Sequence, residues 1–311
     1  MARITQPEAG APDRQTMPDA MDHADAPAIP ATIELSARSI AADPAALRLI
    51  PPATRVYLVD AGDGPASEWT DACRRLTDAG LEPVPHIACR RIRSLQDIDE
   101  RLEAMAGAAG IRDVLVIGGD IARPLGPFAS SMDLLETGIL QRHGITRFGI
   151  AGHPEGSPDV APAAVVDALH WKIELAARTG LEIRLVTQFG FDPEATIGWA
   201  ARLAAEGIRL PIHVGVAGPT SMTRLLKYAA LCGVRASASF ALKRGAALTS
   251  LMGGYSPDPY ARAIERSGHV TQLHVYAFGG LAATAHWLIG RGSWRGRDET
   301  TQAIQNVRSM P

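Results

Sequence analysis

Glu34 sits inside the short apolar run Thr32-Ile33-Glu34-Leu35-Ser36. A carboxylate in a buried strand is costly unless it is paired or carries a proton, which makes Glu34 a candidate general acid. Its structural alternative is a side chain at the strand's mouth, paired with Arg38 or in water. Further polar residues close other β-rich runs: His86, Asp120, His153 with Glu155, Gln188 and Tyr276. Two carboxylates, a carboxamide and histidines suit a nitrogen heterocycle. A carboxylate accepts paired ring and amino N–H bonds, and a carboxamide both donates and accepts. Each residue alone has a plain use as well: Asp120 can cap a turn, Gln188 can satisfy loop backbone, and His86 can be a hydrogen-bonded core histidine. Six such residues at six strand ends point instead to one cavity.

Bringing strand ends together is a demand on the fold. From about Ala31 the chain alternates short β-branched runs with segments of helical period, the pattern of parallel strands covered by helices. The expected strands are Thr32 to Ala37, Val56 to Ala61, Val84 to Cys89, Val114 to Gly118, Arg147 to Ala151, Arg184 to Phe189, Ile212 to Val216 and Gln272 to Tyr276. Ser94 with Asp97 resembles a capping box, and Asp192-Pro193-Glu194 sets a cap, a first-turn proline and an acid in helix-starting order. Glycines 80, 110, 180 and 207 stand where helices close. Eight βα units in about 260 residues predict a single-domain (β/α)8 TIM barrel, whose active site gathers at the C-terminal ends of the strands. A doubly wound sheet is disfavoured, because no Gly-x-Gly-x-x-Gly turn follows the first strand and Gly118-Gly119-Asp120 is too short for a dinucleotide fingerprint.

The 311 residues are 46% hydrophobic and 21% charged with a net charge of −2, which offers no basic field for nucleic acid or anionic membrane. No apolar stretch approaches the roughly 20 residues that span a bilayer, and the start lacks a signal-peptide pattern. A cytoplasmic protein is expected. Cys73, Cys89 and Cys232 fit no zinc spacing and read as reduced thiols, so no metal site is assigned. Residues 1–30, rich in proline and alanine, read as a disordered tail, 31–290 as the barrel and 291–311 as a polar C-terminal tail.

Several strings resemble the methylenetetrahydrofolate reductase family in order and spacing. They are Glu34 in its strand, Pro85-His86-Ile87-Ala88-Cys89, Ile117-Gly118-Gly119-Asp120, Ala151-Gly152-His153-Pro154-Glu155 and Thr187-Gln188-Phe189-Gly190-Phe191-Asp192. The last is the most specific, and the similarity runs from about residue 31 to 290. The resemblance implies an oxidoreductase of one-carbon metabolism that passes hydride from NADH or NADPH through FAD to 5,10-methylenetetrahydrofolate, giving 5-methyltetrahydrofolate. By the same resemblance Glu34 protonates N10 of the folate, opening the ring to an iminium at N5. Asp120 and Gln188 hydrogen-bond the pterin, with Asp120 also tuning the flavin, and Tyr276 is an aromatic at the substrate end of the last strand. His86, Gly119, Asp120, Phe128, Ala129, His153, Asp167 and Lys172 fall on FAD-contacting segments.

The departures from the family pattern concentrate on the cofactor. Gly118 stands where the family has arginine, His153 where tyrosine is usual, and Glu174 where a second lysine follows Lys172. Thr223 aligns with an aromatic that stacks on substrate, and Gly280 with an arginine. A glutamate facing a diphosphate is repulsive, so weak FAD binding is expected unless the helix is rotated or another cation compensates. Two alternatives stand beside the flavoenzyme: a flavin-independent NADH-linked reductase of the same folate, and a non-redox pterin-binding methyl-transfer or carrier protein. A retained acid at Glu34 favours either reductase, because holding a folate does not require protonating it. The long segment Phe240 to Tyr260, with Lys243 and Arg244, reads as a lid, a substrate-tail site or a subunit contact, and leaves a homo-oligomer open.

Overall fold

Eight parallel strands close into a barrel in chain order: β1 (Ala31–Leu35), β2 (Arg55–Leu58), β3 (Glu82–Ala88), β4 (Asp113–Ile117), β5 (Arg147–Gly152), β6 (Glu182–Phe189), β7 (Ile212–Ala217) and β8 (Gln272–Tyr276). β8 pairs back onto β1 with Glu34 beside Tyr276. The structure is a computed structural model that describes residues 27–59, 64–157, 160–232 and 254–296. Residues 1–26, 297–311 and the pair Lys243 and Arg244 lie outside the described residues. Helices Ala66–Asp78, Leu95–Ala109, Pro162–Thr179, Pro193–Ala205, Met222–Leu231, Asp258–Arg266 and Leu281–Gly290 follow the strands around the outside. The expected (β/α)8 barrel is therefore the observed architecture. Among the described residues no helix is long and apolar enough to cross a membrane.

Helix boundaries obey the expected chemistry. Ser94 accepts a hydrogen bond from Asp97 N at 3.0 Å, though Asp97 Oδ2 accepts from Arg93 N and not from Ser94 N, so the expected capping box is only half formed; Asp192 accepts from Glu194 N at 3.0 Å with Pro193 in the first turn. Gly80, Gly110, Gly180 and Gly207 all have positive φ, the conformation that ends a helix without a Cβ clash. In β3 the ladder to β4 begins only at His86, past Pro83 and Pro85, which have no N–H to donate.

Successive side chains in each strand point to opposite faces, and here the two faces differ sharply in character. Outward residues such as Ile33, Val56, Ile87, Val114 and Phe148 join the main core under the helices. Inside the barrel the apolar cluster is only Tyr57, Val84, Leu115 and Val186, with Ile117 packed against it. The rest of the buried interior is polar: Thr32, His86, Asp113, Arg184, His213 and His274 are all nearly inaccessible. Branched aliphatics usually fill this space. At the barrel base three guanidiniums gather on one buried carboxylate. Arg184 donates from Nη1 to Asp113 Oδ1 and from Nε to the Tyr57 hydroxyl, both at 2.8 Å, while Arg55 and Arg147 flank Asp113 Oδ2 at 3.3 and 3.4 Å. The chain then returns to this base after Gly290: Trp294 is buried and donates its indole N–H to Ala31 O at 2.8 Å.

Near the mouth, β6 slips register against β7 between Val186 and Phe189. The slip is locked by Thr187, whose hydroxyl accepts from Gly215 N at 2.8 Å and donates to Gln188 O at 2.9 Å. A Cβ at Gly215 would lie only 2.5 Å from Phe189 N and also strike the Gln188 carbonyl. Gly215→Ala is therefore expected to cost about 1–3 kcal/mol, the scale of overpacking, measured as a shift in the urea unfolding midpoint. An unchanged midpoint would mean that the bulge moves freely.

Candidate active site

Under the barrel mouth one carboxylate faces two imidazoles. Glu34 Oε2, on β1, lies 3.3 Å from His274 Nε2 on β8 and 3.5 Å from His86 Nε2 on β3. The Glu34 side chain retains 12% exposure while His274 has none, so the carboxyl sits at the boundary between the packed interior and the open mouth. His86 is not within hydrogen-bonding geometry of any partner through Nε2. Burial, only partly offset by the Glu34 carboxylate, holds its pKa down at about 4, so it is neutral at pH 7. Behind it Tyr57 packs edge-on against His274, ring centroids 4.4 Å apart. His213 is likewise held neutral, at a pKa of about 2, by burial and by Arg184. The arrangement presents a carboxyl group to the mouth beside the neutral His86 imidazole, a place from which a carboxyl can exchange a proton with a bound ligand.

The β6 bulge sets the opposite wall. Gln188 projects exposed at the strand end, its Oε1 accepting from Phe189 N at 3.1 Å. Tyr276 donates its hydroxyl to Thr187 O at 3.3 Å, and burial pushes its phenol pKa well up, so it stays a donor. Gln188 and Tyr276 are thus brought together through Thr187. Phe189, Tyr276 and Phe278 pack ring against ring, and Phe278 stacks on Tyr228 at 4.2 Å with an interplanar angle of 10°. Thr223 is exposed on the helix Met222–Leu231; these rings supply the aromatic surface instead. Gly280, with φ of 98°, caps the helix Leu281–Gly290, a conformation in which an arginine would be strained. Cys232 follows Met222–Leu231, and burial, then Glu34 and Asp120, pushes its thiol up to about 11.

Asp120 lies apart from Glu34 in its own pairing. Its side chain is 75% exposed and takes a forked contact from Arg91, with Nη2 at 2.7 and 3.0 Å and Nε at 3.0 Å. Beside it Arg90, Ala122, Pro124 and Ala129 line a cavity of about 370 Å³. Gly119 has φ of 93°, and Phe128 is buried in the main core. Arg90 donates to Ala129 O and Ile121 O, and a Cβ at Gly118 would lie 3.7 Å from its Nη2. A guanidinium from the neighbouring loop therefore stands beside the position where the family arginine is missing.

On the helix Pro162–Thr179, Lys172 is half-buried while Glu174 and Asp167 are exposed. Residues two apart do not share a helix face, so Glu174 is turned away from the half-buried Lys172, in line with the rotated-helix alternative. Burial lowers the Lys172 pKa, and no carboxylate pairs with it among the described residues. His153 lies close enough that Lys172 adds to the lowering of its pKa by burial. An ammonium half-buried without a carboxylate partner among the described residues, the Arg90 guanidinium and the Gly118-Gly119 turn suit an anionic group such as a flavin diphosphate.

Sequence reasoning missed His274 and Thr32. The signal was present: both lie two residues before recognised site residues, Tyr276 and Glu34, and so on the same strand face.

A family model described as methylenetetrahydrofolate reductase matches residues 58–280. The chain is 28% identical to the 5,10-methylenetetrahydrofolate reductase of Pectobacterium carotovorum over 187 residues, 59% of this chain and 56% of that protein. It is 27% identical to the protein of the same name from Escherichia coli K12 over 203 residues, 63% of this chain and 66% of that protein. To the Arabidopsis thaliana methylenetetrahydrofolate reductase (NADH) 1 it is 26% identical over 218 residues, 63% of this chain and 36% of that protein. The matched stretch thus spans less than two thirds of each of these relatives.

Proposed function

The chain belongs to the methylenetetrahydrofolate reductase family, and we propose that it reduces 5,10-methylenetetrahydrofolate to 5-methyltetrahydrofolate with NADH as the electron donor and FAD as the cofactor. The observation that carries this reading is Glu34 at the barrel mouth, facing two imidazoles. β1 lies before the residues 58–280 matched by the family model, so the role given to Glu34 rests on the resemblance of its strand and on its place beside the two imidazoles. Glu34 donates a proton to folate N10 as the bond from N10 to the bridging carbon breaks, and that carbon takes up hydride. Gln188, exposed at the β6 bulge, offers a donor and an acceptor to the pterin, while Tyr276 and Phe278 form the apolar wall against it. Asp120, held by Arg91, offers its outer carboxylate lone pairs to the same ring. Arg90, Lys172 and His153 would hold the FAD, with Gly119, Phe128 and Ala129 shaping the loop against it and Asp167 at the rim; the cofactor would supply the relay from nicotinamide to folate.

A flavin-free variant, with hydride passing directly from NADH, is favoured by one feature. The amides of Ala129 and Ser130 already donate to Asp133 Oδ2, at 2.8 and 2.9 Å, and are withdrawn from any phosphate. Titration of the protein with FAD, followed by flavin fluorescence, separates the two. With FAD bound, Lys172→Met is expected to weaken affinity about tenfold or more, the scale of a charge-assisted contact, and Glu174→Lys to leave it within about twofold, as for exposed charges. No FAD binding together with NADH-dependent folate turnover would establish the flavin-free enzyme. Neither binding nor turnover would sink both.

A further inference from the structure

We propose that Glu34 and His274 hold one exchangeable proton between them, and that Thr32 keeps it there by fixing the tautomer of His274. This deepens the reductase reading and rests on it for where the proton goes, but not for its presence.

Thr32 Oγ1 lies 3.2 Å from Leu273 O and 3.1 Å from His274 Nδ1. A hydroxyl has one hydrogen, and a carbonyl can only accept. With that hydrogen on Leu273 O, the Thr32 oxygen accepts from Nδ1–H, and the neutral imidazole has no second N–H. Its Nε2 lone pair then points at Glu34 Oε2, 3.3 Å away. Two lone pairs at that distance in a nearly dry interior repel, whereas one proton between them makes a strong hydrogen bond. It satisfies all three contacts of the chain Leu273–Thr32–His274–Glu34. The reverse arrangement, with Thr32 donating to Nδ1, gives up the Leu273 contact and needs no extra proton.

The surroundings leave Glu34 no other source of compensation. Facing the His274 imidazole are the Tyr57 ring from β2, His86 from β3, His213 from β7 and Tyr276 from β8 itself. All four are neutral at pH 7. Arg184 from β6 reaches Tyr57, but its guanidinium is turned to Asp113 at the barrel base, and no contact joins it to Glu34. Cys232, the remaining group within reach of Glu34, is a thiol. Among the described residues no cation is paired with the Glu34 carboxylate, so the proton of the pair is what offsets its charge there.

For the reaction, the Glu34 O–H bond breaks as N10–H forms, and the spent carboxylate is left against the His274 lone pair. That repulsion makes the pair recover a proton from solvent through the mouth before the next turnover. His274 and Thr32 are positioning residues for an acid that reloads itself.

The test is ring nitrogen spectroscopy of the full chain labelled with ¹⁵N-histidine, without ligand and near neutral pH. His274 is expected to carry hydrogen on Nδ1, with Nε2 either a hydrogen-bonded acceptor or protonated as well; both place one proton in the pair. Thr32→Val should move the proton of His274 to Nε2, and Thr32→Ser should restore the wild-type pattern. The resonance is assigned by its loss in His274→Asn or, if that variant does not fold, by contacts to the Tyr57 ring. A bare Nδ1 with hydrogen on Nε2 in the wild type would overturn the proposal even in a fully active enzyme. Absent folate turnover with the expected tautomer would instead overturn the reductase reading and leave the proton pair standing.

Discussion

Glu34→Gln is expected to divide the reaction into a half that survives and a half that does not. Glutamine keeps the size of the side chain, and its amide can donate to His274 Nε2 as a protonated acid would, so the packing beneath the mouth is retained. It has no proton to transfer. NADH should still reduce enzyme-bound flavin at the wild-type rate, while conversion of methylenetetrahydrofolate by the reduced enzyme should fall by about 10²-fold or more, the usual contribution of a general acid. Stopped-flow measurement of each half separately reads the two rates. If the protein works without flavin, the same loss appears in the single step of NADH oxidation by folate. A variant that reduces folate at the wild-type rate would reduce Glu34 to a structural carboxylate.

The largest loss of stability is expected from Asp113→Ala. Asp113 is almost fully buried and is the carboxylate on which Arg184, Arg55 and Arg147 converge. Removing it leaves the buried Arg184 guanidinium held only by the Tyr57 hydroxyl, and breaking a buried pair from one side costs about 3–5 kcal/mol. Replacing both partners, Asp113→Ala with Arg184→Met, should cost less than Asp113→Ala alone, because the most deeply buried guanidinium is removed with its carboxylate, while Arg55 and Arg147 keep Glu82 and partial exposure. Urea unfolding of the single and double variants measures this. A single-variant loss below about 1 kcal/mol would place Asp113 among weak surface pairs and show that Glu82, at the exposed edge of the network, can substitute.

The barrel was legible because its signals are local. Strand periodicity, the Asp192-Pro193 helix start and the closing glycines each report on a few neighbouring residues, and the expected and observed strands agree within a few positions, β8 at both ends. The acid at Glu34 was legible for the same reason, as a charge in an apolar run. Its partners were not: His274 is 240 positions away, and only closure of β8 on β1 makes them neighbours. The Arg184–Asp113 pair escaped notice because both residues open strands, where a charge ordinarily reads as solvated. The direction of Glu174 was open for a different reason, since a pattern of residue types along a helix does not state which face is turned inward. The bulge at Gln188 was invisible as geometry, although Gly215, which makes room for it, stood in plain view in β7.

Glu34 and His274, the pair proposed to share a proton, come from the first and last staves of the barrel. In a chain made from its N-terminus onward, every other strand is on hand before the chemistry can exist. A nascent chain stopped short of Gln272 exposes β1 as an unpaired edge, the kind of surface that templates association with other chains. The polar interior that makes the acid useful also delays the moment at which burying it is tolerable. The proposed site is therefore completed only at the last step of assembly, and a ribosome-bound fragment of this protein would hold Glu34 without His274 beside it.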